Sequence, residues 1–254
     1  MSHLHRLVPL AVCVALVFPS FAAAAAAAPP AKPDRFAFSV KLGAPVSESA
    51  AVGDLCDVPG SDICGGWGFS YDTVDVDGTM ALILEGEALV RTSASTRAGL
   101  LATLRPGLTL KSRLSGKVVD FGTDMDLALT AQWVPELSDS VTGLVGVRAG
   151  VRTLFAGGDV ADNNADAERI CVEARAEGTP CSVGAGPYSG FVAGASIGLG
   201  VALRTVGLRF ELVWTATDID HISSFEVGSG SQSALLESSL SDWKRVALMA
   251  GVDF

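Results

Sequence analysis

The sequence predicts an all-β protein folded as a single up-and-down antiparallel transmembrane β-barrel of about eight strands, with ten possible. Three observations lead there. Apolar and polar residues alternate with period two through eight stretches, and the charges keep to one side of each alternation. Tight turns take turns with long polar connections along the 254 residues. Beyond residue 28 no run approaches the roughly 20 apolar residues of a membrane-crossing helix, so any crossing must be made by strands.

The first 28 residues read as a secretory signal peptide: a short basic start from Met1 to Arg6, an apolar core from Leu7 to Phe21, and small residues from Ala22 to Ala28 before Pro29 and Pro30. Pro9 and Pro19 bracket a core too short to span comfortably. Val12 before Cys13 stands where lipoprotein processing wants a small residue. Residues 29–254 are then the barrel domain, as one domain of ordinary length. The net charge is −10, and about −11 once Arg6 departs with the signal, which speaks against nucleic acid as a partner.

The first strand is Arg35 to Ala44, with Phe36, Phe38, Val40 and Leu42 opposite Arg35, Ser39 and Lys41. Pro45 to Gly78 reads as a polar excursion into water. The second strand, Thr79 to Arg91, sets Met80, Leu82, Leu84, Ala88 and Val90 against Glu85, Glu87 and Arg91. After the turn at Thr92 to Thr96, the third runs from Arg97 to about Lys111. It puts Leu100, Leu104, Leu108 and Leu110 outward, and Thr103, Arg105, Thr109 and Lys111 inward. Pro106 interrupts it, because proline cannot donate to a ladder, so a bulge or an early end is expected there.

The fourth strand, Phe121 to Val134, has Phe121, Met125, Leu127, Leu129 and Trp133 outward, with Asp124, Asp126, Thr130 and Gln132 inward. The fifth, Thr142 to Phe155, opposes Val145, Val147, Val151 and Phe155 to Arg148 and Arg152. Ala156 to Pro187 reads as a second long polar loop. The sixth, Tyr188 to Arg204, carries Phe191, Ile197, Leu199 and Val201 on its apolar file, and the seventh, Leu208 to Thr217, carries Leu208, Phe210, Leu212 and Trp214 against Arg209 and Glu211. Asp218 to Ser241 is the last expected loop.

The final stretch, Asp242 to Phe254, counts back from its terminal aromatic as Phe254, Val252, Ala250, Leu248 and Val246, interleaved with Asp253, Met249 and Arg245. It resembles the closing strand of bacterial outer-membrane β-barrels, which ends in Phe with apolar residues at alternate preceding positions. The whole pattern resembles the small OmpA/OmpX-type barrels. The resemblance implies residence in the bacterial outer membrane among its lipids and lipopolysaccharide, recognition of Phe254 by the barrel-assembly machinery, and a monomer. The likeness is expected to stop at the barrel, without the peptidoglycan-binding domain of full OmpA after Phe254.

Strand directions place Phe36, Trp133 and Phe254 at periplasmic ends, and Phe121, Phe155, Phe191 and Trp214 at outer ends, as two aromatic girdles. On the outward files the one charge is Lys244, at an outer end where it can snorkel. A soluble sandwich or lipocalin also alternates, but its strands need be only about five or six residues long. These approach the roughly 9 to 11 that cross a bilayer at a tilt.

An eight-stranded barrel is just wide enough for side chains to fill, so the inward charges of both signs are expected to pair as a polar plug, with a gated narrow pore as the alternative. The cysteines of the exported chain suit disulfides within loops, Cys56 with Cys64 and Cys171 with Cys181. Their spacings fit no ordinary zinc motif. Asp72, Asp75, Asp77 and Gly78 miss the EF-hand spacing and read as a solvated loop. His221-Ile222-Ser223 resembles the His-x-Ser of the PagL-type lipid A deacylases, with Ser224 where that family has Asn. Continued alternation would aim His221 and Ser223 inward, away from lipid. No catalytic, cofactor-binding or metal-binding residue is therefore assigned. A structural or surface-recognition role through the long loops is expected, without catalysis.

Overall fold

The computed structural model describes residues 36–57, 69–79, 81–184, 186–203, 206–228 and 234–254. The signal-peptide reading, Arg35, Met80 and the Cys56 to Cys64 bridge lie outside the described residues or side chains.

Among the described residues, eleven strands and one helix follow one another as β1 (Phe36–Asp57), β2 (Phe69–Gly78), β3 (Ile83–Arg91), β4 (Thr96–Ser112), β5 (Val118–Trp133), β6 (Glu136–Ser138), β7 (Val141–Ala156), α1 (Gly158–Ala176), β8 (Cys181–Gly184), β9 (Tyr188–Leu203), β10 (Val206–Val227) and β11 (Ala234–Asp253). Each long strand pairs antiparallel with its neighbours. β11 returns to β1, where Val40 faces Val252 and Leu42 faces Ala250, so the ring closes. β2 and β3 both lie between β1 and β4 and share one ring position, which makes eight positions. Closure of the ring removes the open edges that a flat sheet would present.

The chain does fold back as a hairpin extension between β1 and β2, yet the count stays at eight. Pro45 to Gly78 is not a loose polar loop: β1 climbs to Asp57 and β2 descends from Phe69, prolonging the wall above β3. Asp75 and Asp77 sit on β2, and Arg113 from the β4–β5 turn reaches Asp77 at 2.6 Å. Likewise most of Asp218 to Ser241 is strand, since β10 continues to Val227 and β11 begins at Ala234. Most of Ala156 to Pro187 is α1 and β8.

Alternation within each strand is as expected, but its phase is reset by bulges. A bulge inserts one unmatched residue, so side chains beyond it exchange faces. The register between β1 and β11 slips between Pro45 and Ser47, and that between β4 and β5 between Arg105 and Leu108, where Gly107 takes φ +69. The bulge expected at Pro106 is there. Its consequence reverses part of the sequence reading: Leu108 and Leu110 point inward and are fully buried, while Thr109 and Lys111 do not. A second slip near Phe121 turns that ring inward too, so it leaves the outer girdle. Phe155, Phe191 and Trp214 remain outside, as do Phe36, Trp133 and Phe254 at the other end.

Candidate functional site

The interior is built in layers. Among the described residues, six cations and six carboxylates are buried in the lumen. They fall into two tiers of three and three. In the periplasmic tier, Lys41 Nζ lies 2.7 Å from Glu85, 2.9 Å from Glu87 and 2.7 Å from Glu211. Arg148 donates to Glu85, and Arg209 donates to Glu87 at 3.0 Å and also meets Glu211. Gln132 Nε2 adds a bond to Glu87 at 3.0 Å.

In the outer tier, Arg152 grips Asp126 with two parallel bonds of 2.6 and 2.8 Å. Arg245 spans Asp124 and Asp126 at 3.1 and 3.2 Å, and Arg105 pairs with Glu48. Each tier is neutral by itself. Charges taken from water are costly unless they are paired and hydrogen-bonded, and these come from seven of the eight ring positions to meet inside the ring.

Trp243 closes the outer tier. Its ring lies over Arg152, 4.4 Å from guanidinium carbon to centroid, and its indole N–H donates to Glu48 Oε1 at 2.8 Å. The ring's polar edge and π face thus look down on the charges, and its other surface looks up. A bulge puts it there: Asp242 takes φ +51, and β11 spends three residues between Leu240 and Trp243 where β10 spends two.

Above Trp243 the lumen changes character. Leu108, Leu110, Phe121, Leu154, Ile219 and Leu240 form one apolar cluster with it. Two of them, Leu110 and Phe121, line an outward-lying cup of about 340 Å³. Valines at 52, 76, 119 and 160, with Ile222, complete its apolar lining, and Ser112, Ser115, Lys117, Asn163 and Ser238 bring its polar groups.

One side of the cup is α1, which the sequence reading took for loop. Val160 and Cys171 are its buried residues. It is held at its start by Asp159, which accepts from Asp120 N–H at 2.8 Å, and in its second turn by Asn164, bonded to the Tyr188 hydroxyl at 3.1 Å. At its end, Cys171 is joined to Cys181 as expected, and Arg175 donates to the Cys181 carbonyl at 2.9 Å. Gly122, at φ +103, lets the chain entering α1 pass close, because a Cβ there would strike Gly157.

The His221 and Ser223 side chains lie outside the described ones, but Ile222 between them is buried in the lumen. The register slips between Ile219 and Ser223, so the simple continuation of alternation does not hold there. Trp243, Lys117 and the cup's leucines were not singled out from the sequence. The signal for Trp243 was available, since it extends the inward file of Arg245, Ala247 and Met249.

Leu129 is 67% and Phe191 66% exposed, whereas Lys41, Arg105, Arg152 and Arg209 are buried. A hydrocarbon solvent outside and a self-paired polar filling inside suit such an inversion. The architecture is that of a small outer-membrane β-barrel. No family model and no curated protein matches this barrel's sequence. Among solved structures it is similar to the outer membrane protein OprG from Pseudomonas aeruginosa, at 16% identity and TM-score 0.46, covering 86% of this chain and 95% of that one. It is similar to Neisserial surface protein A at 13% and 0.40, covering 85% and 97%. It is also similar to the outer membrane protease OmpT from Escherichia coli at 8% and 0.33, covering 88% and 97%. At such values no neighbour's activity passes to this barrel.

Proposed function

We propose that the protein is a non-conducting, non-catalytic surface-recognition protein of the bacterial outer membrane, which accepts a small apolar group in its outward-lying cup. Trp243 is the observation that carries this: it lies on a neutral, paired charge plug and belongs to the apolar cluster whose Leu110 and Phe121 line the hollow, which supports a lumen sealed toward the periplasm with a site kept toward the outside. Cups of about 300 Å³ or more are of ligand-binding size. Export through the segment 1–28, lipids and lipopolysaccharide around the wall, assembly through the strand ending at Phe254, and a monomeric state complete the reading.

The purified barrel in planar bilayers is expected to pass no discrete current steps, and to take up a neutral alkyl probe saturably. Discrete steps would favour the pore instead. Lipid A spectra of cells with and without the gene test catalysis: an unchanged acylation pattern is expected, and a shift dependent on His221 and Ser223 overturns that part.

A further inference from the structure

The cup's polar groups define a ligand more closely than its apolar ones. Lys117 is the one charged residue among its described lining. No ion pair or side-chain hydrogen bond involves its ammonium among the described residues, whereas Arg113, four residues before it, pairs with Asp77. Asp120, three residues after Lys117, accepts from Gly122 N–H at 2.9 Å, and Asp159 accepts from Asp120 N–H at 2.8 Å. Ser112, Ser115 and Asn163 stand with Lys117 as further donors. Away from this group the lining is largely hydrocarbon, from Leu110, Phe121, Ile222 and the valines.

Resting on the cup reading above, we infer that the cup takes a single-chain carboxylate, with its alkyl chain against Leu110, Phe121 and Ile222 and its carboxylate on Lys117. One cation balances one negative charge. A volume of about 340 Å³ lies near the small end of ligand sites and suits one medium-length chain rather than a two-chain lipid. The hydrocarbon lining sets the affinity through buried methylenes. Lys117 sets the sign of the head group.

The full chain, folded into nanodiscs of uncharged phosphatidylcholine with empty discs as the blank, is titrated calorimetrically with hexanoate, octanoate, decanoate and decylammonium, all below their micellar concentrations. Saturable binding of one decanoate per barrel is expected, tightening about tenfold for each two added carbons until the cup is full. Lys117→Gln is expected to weaken decanoate about tenfold, and Lys117→Glu to reverse the preference toward decylammonium, with heat-modifiable gel migration showing that each variant is folded. Equal binding of decanoate and decylammonium, or no change in Lys117→Gln, overturns the head-group assignment and leaves the cup standing. Failure of every chain to bind overturns the cup itself.

Discussion

Arg152 lies beneath the ring of Trp243, 4.4 Å from its centroid, while the indole N–H of the same ring is held by Glu48 at 2.8 Å. Tryptophan is the side chain that can face charge with one side and hydrocarbon with the other, because its π face attracts a cation, its N–H satisfies a carboxylate and its bulk excludes water. Trp243→Phe keeps the bulk but removes a donor from Glu48, whose Oε2 already has no side-chain partner. A loss of about 1 to 3 kcal/mol is expected, and about 3 to 5 for Trp243→Ala. Equilibrium unfolding in urea with lipid vesicles measures both; equal losses would mean that packing alone matters.

Lys41 serves three carboxylates, so its removal should be felt more than that of any surface lysine. Lys41→Met leaves Glu85, Glu87 and Glu211 close together with only arginines to share. About 3 to 5 kcal/mol of destabilisation is expected. Lys244→Met, whose partner Asp242 is on the surface, should cost no more than about 1 kcal/mol. The temperature at which the folded gel band disappears reports the difference.

Two leucines of similar exposure test the membrane. Leu129 on β5 is 67% exposed, and Leu137 on the short β6 turn is 61%. In water the two would respond alike to arginine. Across a bilayer, Leu129→Arg should cost roughly 2 to 4 kcal/mol and Leu137→Arg roughly 0 to 1. Equal effects in vesicle-refolding titrations would remove hydrocarbon from around the barrel.

Cys171 and Cys181 fasten the end of α1 to β8, away from the closed wall. Reduction, or Cys171→Ser with Cys181→Ser, should therefore loosen α1 without opening the ring. Limited proteolysis is expected to cut within Gly158–Ala176 sooner, while the heat-modifiable shift stays in place. Loss of that shift would give the bridge a global role.

Above the membrane, Asp77 accepts hydrogen bonds from Arg113, and the guanidinium holds its carboxyl below the ordinary value of 3.8. A depressed carboxyl pKa adds stability that is present above the ordinary value and is lost as pH falls through the lowered one. The β2 contact to the β4–β5 turn should thus persist through mildly acid pH and loosen only below it. Arg113→Ala is expected to return Asp77 to the ordinary range in an NMR titration.

How far the sequence could be read depended on the distance over which each rule acts. Alternation acts between adjacent residues, so Glu85 with Glu87, Asp124 with Asp126, Arg148 with Arg152 and Arg209 with Glu211 were legible as inward pairs before any coordinate. The helix α1 was missed because most of its residues are exposed and its apolar ones make no continuous stripe, although Gly178 just after it, at φ +85, is an ordinary helix stop. Leu108, Leu110 and Phe121 were placed on the wrong face because a bulge is decided between strands: nothing in β4 alone says whether Pro106 ends the pairing or shifts it.

The order of side chains along each strand by itself determined a closed wall, greasy without and charged within, since a pleated chain must send neighbours to opposite faces. Only the assembled ring decided which Arg meets which Asp, and where the charged lumen gives way to a cup. Those pairings join residues far apart in sequence, 121 positions for Arg245 and Asp124 and 170 for Lys41 and Glu211, and one-residue slips at Pro45, Pro106 and Asp242 set their phase.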